Sequence, residues 1–268
     1  MESAEIVPTV NALRARVAQW RQAGARVGLV PTMGALHAGH LSLVEEIRKR
    51  SDKVVVSIFV NPAQFAPHED FDRYPRTLDA DVARLAAGTE LVFAPSVREM
   101  YPEGFASRIE VGGPASGLET DFRPHFFAGV ATVVAKLLIA AMPDVAIFGE
   151  KDYQQLLVIR RLVADLALPV EIVGAPTLRE PDGLAMSSRN AYLGPRERAI
   201  AGRLNAVLRD AASEEAATRD LLAAGFDRVD YVAIRDAATL GAPSEGPKRI
   251  LAAVRVGTTR LIDNMAVP

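Results

Sequence analysis

Val27-Gly28-Leu29-Val30-Pro31-Thr32-Met33-Gly34-Ala35-Leu36-His37-Ala38-Gly39-His40-Leu41-Ser42-Leu43-Val44 is the stretch whose reading decides the fold. It opens on a short apolar run of the kind a buried strand shows. Pro31 and Gly34 predict a break from strand into turn. From His40 onward, Leu41, Val44 and Ile47 recur at helical spacing, with Glu45, Glu46, Arg48 and Lys49 on the other face, which predicts a helix to about Arg50. Strand, glycine turn and helix start thus follow in order. A helix start offers free N–H groups and partial positive charge, which favour an anion such as phosphate.

Two histidines stand at that entry. Imidazole is neutral or cationic near pH 7, so the pair can hydrogen-bond phosphate oxygens and stabilise charge on them. Gly39 between them lets a ligand approach the backbone. A pair of structural histidines, or a metal pair at i, i+3, fits the same residues. The pattern His37-x-Gly39-His40 resembles the signature of the nucleotidyltransferase superfamily that includes class I aminoacyl-tRNA synthetases.

The chain of 268 residues leaves room for one large or two smaller domains with a substantial core. Apolar residues at 49% and charged residues at 24% are the proportions of a soluble globular protein. The net charge of −2 gives no support for nucleic-acid or membrane-surface binding. No cysteine is present, which excludes disulfides, thiolate metal sites and a cysteine nucleophile. The acidic start Met1-Glu2-Ser3-Ala4-Glu5 lacks the basic and apolar regions of a signal peptide, and no apolar run is long enough to span a bilayer. A cytoplasmic location is the expectation.

Around the opening stretch the other elements fall into place. Thr9 to Gly24 predicts an amphipathic helix with Val10, Leu13, Val17 and Trp20 on one face, ended by Gly24. Lys53 to Val60 is nearly continuously apolar and β-branched, as a parallel strand covered on both faces is. Asn61 and Gln64 follow it, at the edge where open α/β sheets bind ligands; an ordinary polar loop fits them too. Phe65 to Arg76 reads as a loop with a solvated His68, Leu78 to Ala87 as a helix, Leu91 to Phe93 as a strand, and Arg108 to Val111 as a half-buried strand. Gly112, Gly113 and Gly117 lack dinucleotide-loop spacing and no P-loop pattern occurs, which argues against a P-loop kinase and a standard NAD dehydrogenase. Val130 to Met142 predicts a buried helix whose one charge, Lys136, packs its stem and sends its amine to water.

Val145 to Phe148 predicts a strand running into Gly149-Glu150-Lys151-Asp152, where Lys151 offers a point charge to phosphate and Asp152 is also a helix N-cap. Val170 to Val173 is the next strand. In the loop from Arg179 to Asn190, Asp182-Gly183 marks a turn, and Ser187, Ser188 and Arg189 suit a polyphosphate or, equally, a helix cap with a surface arginine. After Pro195 come Ala- and Arg-rich helices to Gly225 and strands at 230–234, 250–256 and 259–262, a small α+β domain. The fold class expected is α/β, a Rossmann-like doubly wound parallel sheet with a smaller C-terminal α+β lid domain. Its boundary lies between Val173 and Ser187, taken as 1–178 and 179–268. In a parallel sheet all strand carboxyl ends face one edge, so the loops bearing His37 and His40, Gln64 and Lys151 must approach one another.

Five linked motifs carry a closer resemblance. They are Pro31-Thr32-Met33-Gly34-Ala35-Leu36-His37-x-Gly39-His40, Phe59-Val60-Asn61-Pro62-x-Gln64-Phe65, Tyr74-Pro75-Arg76-Thr77, Phe148-Gly149-Glu150-Lys151-Asp152-Tyr153-Gln154-Gln155, and Asp182-Gly183-Leu184-Ala185-Met186-Ser187-Ser188-Arg189-Asn190. With the tail Leu261-Ile262-Asp263-Asn264, they resemble the pantoate–β-alanine ligase family over essentially the whole chain. The resemblance implies an AMP-forming ligase in which (R)-pantoate attacks the α-phosphorus of ATP and β-alanine then captures the pantoyl adenylate, giving pantothenate, AMP and pyrophosphate. It implies that Met33, Gly34, Ala35, Leu36, His37, Ala38, Gly39 and His40 hold ATP, with His40 the proton donor and His37 supporting the same charge. By the same likeness Gly149, Glu150, Lys151, Asp152, Leu178, Met186, Ser187, Ser188 and Arg189 complete the nucleotide site. The catalytic set is then His37, His40, Lys151, Ser187, Ser188 and Arg189. Gln64 and Gln155 grip pantoate, and Gln64 also lies near β-alanine. Mg²⁺ is expected on ATP oxygens with no protein ligand named, and the molecule is expected to be a homodimer that binds neither nucleic acid nor membrane.

One stretch departs from the family pattern. Arg123-Pro124-His125-Phe126-Phe127-Ala128-Gly129-Val130 carries its histidine one position early, with Phe126 in its usual place, so no pocket role passes to His125. Three other functions remain to be weighed: adenylyl transfer to a different acceptor, an idle nucleotide-binding module, and a metal hydrolase built on His37 and His40. The idle module should lack His40, Lys151 or the serine pair, and all are present. The hydrolase lacks a third ligand, since His68 and His125 sit in remote stretches.

Overall fold

The computed structural model describes residues 4–66, 69–85 and 88–267. Its first unit contains β1 (Glu5–Val7), α1 (Val10–Gln22), β2 (Val27–Thr32), α2 (Ala38–Arg48), β3 (Lys53–Ile58), α3 (Leu78–Leu85), β4 (Leu91–Phe93), α4 (Val97–Met100), α5 (Glu119–Phe122), α6 (Phe126–Ala141), β5 (Val145–Gly149), α7 (Tyr153–Asp165) and β6 (Glu171–Ala175). The strands form one parallel sheet in the order β1-β4-β3-β2-β5-β6. The chain steps outward from β2 through β3 to β4, then crosses back to place β5 on the other side of β2. The reversal of direction lies between β2 and β5, and the crevice outside their carboxyl ends is where such sheets bind ligands.

Both faces of the sheet are covered. Val27, Leu29 and Val55 pack with Leu13 and Val17 of α1, the apolar length of α6, and Leu156, Ile159 and Leu162 of α7. Val30, Val54 and Val56 pack with Leu43, Val44 and Ile47 of α2 and with Val82 and Leu85 of α3. Alternate residues of one strand thus serve two cores, which explains why β2 and β3 are nearly continuous apolar runs. Gly28 is part of this packing: a Cβ there would stand 2.8 Å from Ile47 Cδ1, so α2 lies close only because the side chain is missing.

A second sheet, β7 (Arg228–Asp236), β8 (Lys248–Val256) and β9 (Thr259–Val267), is antiparallel. With α8 (Pro195–Ala201), α9 (Leu204–Arg209) and α10 (Glu214–Ala223) it encloses its own core around Leu204, Leu208, Leu221 and Val254. The doubly wound sheet with a smaller α+β unit is therefore the architecture present.

Four local expectations need correction. Pro31 does not end β2, which runs on to Thr32. The Thr32 carbonyl accepts from Phe59 N–H on the β3 side, so Pro31 faces β5, where pairing has stopped at Leu29 and the missing N–H costs no ladder bond. Arg108 to Val111 is not a strand, because no partner strand lies beside it; Ile109 N–H donates to Thr132 Oγ1 of α6 instead. Asp152 occupies the N-cap position of α7 without a side-chain capping bond. Lys136 places its ammonium 4.7 Å from the Phe105 ring centroid, a cation–π contact rather than a free amine. β1 gave no periodic signal in three residues and exists through pairing with β4. His68 and the last two residues of the helix expected at 78–87 lie outside the described residues.

Candidate active site

The turn after β2 is built by residues far from it. Gly34 and Ala35 both adopt positive φ, +81° and +51°. An alanine there is strained unless its surroundings hold it. The holder is Asp81, a buried carboxylate on α3, which accepts from Ala35 N–H (2.9 Å), Leu36 N–H (2.8 Å) and Thr77 Oγ1 (3.2 Å). Arg84, one turn on, donates to the Leu36 carbonyl at 2.6 Å. Sequence reasoning missed Asp81; the only cue was an acidic residue on the apolar side of a short helix.

So pinned, the chain enters α2 with His37 as N-cap. His37 Nδ1 accepts from Gly39 N–H at 3.2 Å, and His40 Nδ1 accepts from His37 N–H at 3.3 Å, a reciprocal capping pair. A nitrogen that accepts carries no proton, so these bonds assign both rings the tautomer with the proton on Nε2. The rings are 4.1 Å apart. Burial, then the charges of Lys151 and Arg84, hold His37 down at about 4; burial, then His37 and Lys151, hold His40 at about 3. Both imidazoles are therefore neutral near pH 7 and each offers one N–H.

The turn after β3 is anchored from α6. Asn61, 1% exposed, donates to Gly129 O (3.2 Å) and to Gln64 Oε1 (3.0 Å), and accepts from Tyr101 Oη (2.6 Å). Burial pushes the Tyr101 hydroxyl up to about 12, which keeps it a donor. Gln64 Nε2 contacts Met33 Sδ at 3.1 Å. Asn61 is thus the bracket and Gln64 the group presented to the cavity. On α7 both glutamines line the cavity, and the buried Gln154 is spent on Glu119 N–H and the carbonyls of Pro114 and Gly117.

The turn after β5 carries Lys151, whose ammonium is 3.8 Å from Asp152. Beyond β6, Asp182-Gly183 forms the expected turn, with Gly183 at φ +91° and a bridge between Arg179 and Ala185. Ser187 caps the next turn through Arg189 N–H (3.3 Å). Ser188 Oγ lies 3.2 Å from Tyr74 Oη, and Arg189 pairs with Asp70 at 3.0 Å. The loop at 69–76 therefore folds over the serine turn.

One cavity of about 630 Å³ joins these turns. Met33, His37, Gly39, His40, Gln64, Gly149, Lys151, Asp152, Gln155, Leu178, Met186, Ser187, Ser188 and Arg189 all line it. Gly34, Ala35, Leu36, Ala38 and Glu150 do not: Leu36 sits in the core beneath the turn, and Glu150 turns to Arg249 at 3.4 Å. The volume suits a nucleotide beside a small polar substrate. Phe126 also lines the cavity, with the Arg123 guanidinium 3.9 Å over its ring, whereas His125 is not among the lining residues. Arg123, missed from sequence, grips Glu69 through two 2.7 Å bonds and donates to the Gln64 carbonyl at 3.1 Å. No group of three or more His, Asp or Glu able to hold a metal occurs among the described residues.

Comparison with known proteins gives one answer. The family model for pantoate–β-alanine ligase matches residues 5–266. A pantothenate synthetase from Mesorhizobium japonicum is 57% identical over 100% of this chain and 99% of its own length. The crystal structure of pantothenate synthetase from Thermus thermophilus aligns with TM-score 0.90 at 50% identity, covering 97% of this chain and 98% of that one. A pantoate–β-alanine ligase from Francisella tularensis, crystallised with β,γ-ATP and β-alanine, aligns with TM-score 0.88 at 35% identity, covering 98% of each chain.

Proposed function

The chain belongs to the pantoate–β-alanine ligase family, and from that premise we propose how its residues divide the work. It is an enzyme that uses ATP to join pantoate to β-alanine, giving pantothenate. The observation that carries the assignment of roles is the meeting of four separate turns, those of His40, Gln64, Lys151 and Ser188, on one cavity at the sheet's reversal point.

The reaction runs in two steps. The (R)-pantoate carboxylate attacks the α-phosphorus, forming pantoyl adenylate and releasing pyrophosphate. The β-alanine amine, having lost its ammonium proton, then attacks the acyl carbon, and the carbon–oxygen bond to AMP breaks. Catalysis of the first step is positioning plus stabilisation of charge on phosphate oxygens. His37 and His40 supply neutral Nε2–H donors, and Lys151 and Arg189 supply fixed positive charge. Ser187, Ser188, Met186, Leu178, Gly149, Asp152, Met33, His37, Gly39 and His40 hold the nucleotide, and Gly34, Ala35, Leu36 and Ala38 serve it only by shaping the turn that carries the histidines. Arg189 lines the cavity while paired with Asp70 at 3.0 Å, so its charge is held beside the site proposed for phosphate. Gln64 and Gln155 orient pantoate, and Gln64 also faces β-alanine.

Mg²⁺ fits this site as a companion of ATP. Glu69, Asp70, Glu119, Asp152 and Asp263 line the cavity, and no group of three or more that could hold a metal occurs among the described residues. Asp152 is the side chain placed to share an ion held mainly by phosphate oxygens and water, which is how Mg²⁺ is ordinarily bound. When bound it neutralises phosphate charge. We place the domain boundary at 178/179, with the second unit acting as a lid. The working form is a cytoplasmic homodimer, and the exposed Ile139 and Met142 of the α6 end are apolar surface available to it. No helix among the described residues is long and apolar enough to cross a membrane.

The test is exchange of labelled pyrophosphate into ATP with pantoate present and β-alanine omitted. Exchange that depends on pantoate is expected. Exchange only with a different acid would reassign the substrate, and none without β-alanine would remove the adenylate step.

A further inference from the structure

The turn at 150–152 has no side-chain cap of its own at either end. Its orientation is set from the other unit. Asn264 of β9, 4% exposed, donates through Nδ2 to the carbonyls of Glu150 (3.0 Å) and Lys151 (2.8 Å). Arg249 of β8 donates to Asn264 Oδ1, which fixes which way the amide faces. The same guanidinium lies 3.7 Å over the Tyr153 ring and 3.4 Å from the Glu150 carboxylate. Tyr153 Oη in turn donates to Ala237 O at 2.9 Å. Burying an amide at a sheet edge to satisfy two carbonyls of a distant turn is costly unless both bonds form, so the contact is specific.

We propose that Asn264 is a positioning residue for adenylation: by holding the carbonyls of Glu150 and Lys151, it sets where the Lys151 ammonium stands in the cavity. The carbonyls lie on the backbone that carries the lysine, so their loss of a partner lets the turn rotate and moves the charge. Placement errors of this kind weaken a charge contact far more than they weaken a fold. The inference rests on Lys151 meeting nucleotide phosphate.

The experiment measures pantoate-dependent pyrophosphate exchange while ATP and pantoate are varied in turn. Asn264→Ala is expected to raise KM for ATP roughly fivefold or more and to leave KM for pantoate within about twofold. Asn264→Asp should do no better, because its carboxylate oxygen faces two carbonyls where an N–H₂ stood. Arg249→Lys, which loosens the grip on Oδ1, should move KM for ATP in the same direction by less. Leu221→Ala, a core truncation remote from the cavity, should lower Tm and leave both KM values unchanged. A stability loss in Asn264→Ala with unaltered KM for ATP, or equal rises in both KM values, overturns the proposal. If that variant does not fold, an unchanged KM for ATP in Arg249→Lys overturns it instead. Lys151→Ala separates the two readings: normal exchange there defeats the phosphate role of Lys151, whereas impaired exchange beside a normal Asn264→Ala defeats only the positioning role.

Discussion

The neutral histidine pair makes a quantitative prediction about acid stability. His40 is held at about 3 in the folded protein, against 6.5 for an unperturbed imidazole. Between those values the unfolded chain binds a proton that the folded chain refuses, so stability falls as pH drops from about 6.5 towards 3. At pH 5 the unfolded imidazole is almost fully protonated and the folded one almost fully neutral. The cost at pH 5 is then set by the unfolded pKa alone, RT ln(1 + 10^1.5), about 2 kcal/mol. His37, at about 4, acts in the same sense; it is less enclosed, so solvent screening makes its share smaller. His40→Asn keeps a neutral polar side chain and removes the titration. Urea unfolding at pH 7 and pH 5 should show the variant losing about 2 kcal/mol less than the parent over that interval. Contributions from groups remote from His40 are common to both and cancel. A difference under about 0.5 kcal/mol, or an imidazole resonance of His40 titrating near pH 6.5, would refute the reasoning, since a pKa unit is worth about 1.4 kcal/mol. The functional corollary is a pantoate-dependent exchange rate with no inflection near pH 6.5.

The remaining predictions concern the supports of the cavity. A Cβ on Gly129 would stand 2.6 Å from the Ala63 carbonyl carbon and 2.9 Å from Gln64 Cα; Gly129→Ala should therefore lower Tm in thermal unfolding and raise KM for pantoate by roughly tenfold, through the Gln64 turn. Asp81→Ala leaves the N–H groups of Ala35 and Leu36 without their acceptor and should cost about 2–4 kcal/mol in urea unfolding, with Asp81→Asn costing about half of that. Lys151→Ala should slow exchange by roughly 10²-fold or more, read at saturating ATP and pantoate. Gln64→Ala should raise KM for pantoate while leaving KM for ATP near its parent value; an unchanged KM for pantoate contradicts its assigned role.

Much of this protein was legible before any coordinates. The largely apolar runs at 27–30, 54–58 and 145–148 announce parallel strands because strands buried on both faces carry few polar side chains. Once the strands are parallel, their carboxyl ends share an edge, and His40, Gln64 and Lys151 are committed to one rim by topology. The residues that face the cavity therefore declared themselves through local motifs, glycine turns and helix starts.

The residues that hold those groups still did not declare themselves. Asp81 meets Ala35 across 46 positions, Arg123 meets Gln64 across 59, and Asn264 meets Lys151 across 113. Nothing in a local window distinguishes such a side chain from any other charge or amide on its element. β1, the continuation of β2 through Pro31, and the failure of 108–111 to become a strand were likewise settled by which strand lay alongside. The protonation of His37 and His40 belongs to the same class. It follows from lost water and from the nearness of Lys151, and both exist only after folding brings distant parts of the chain together.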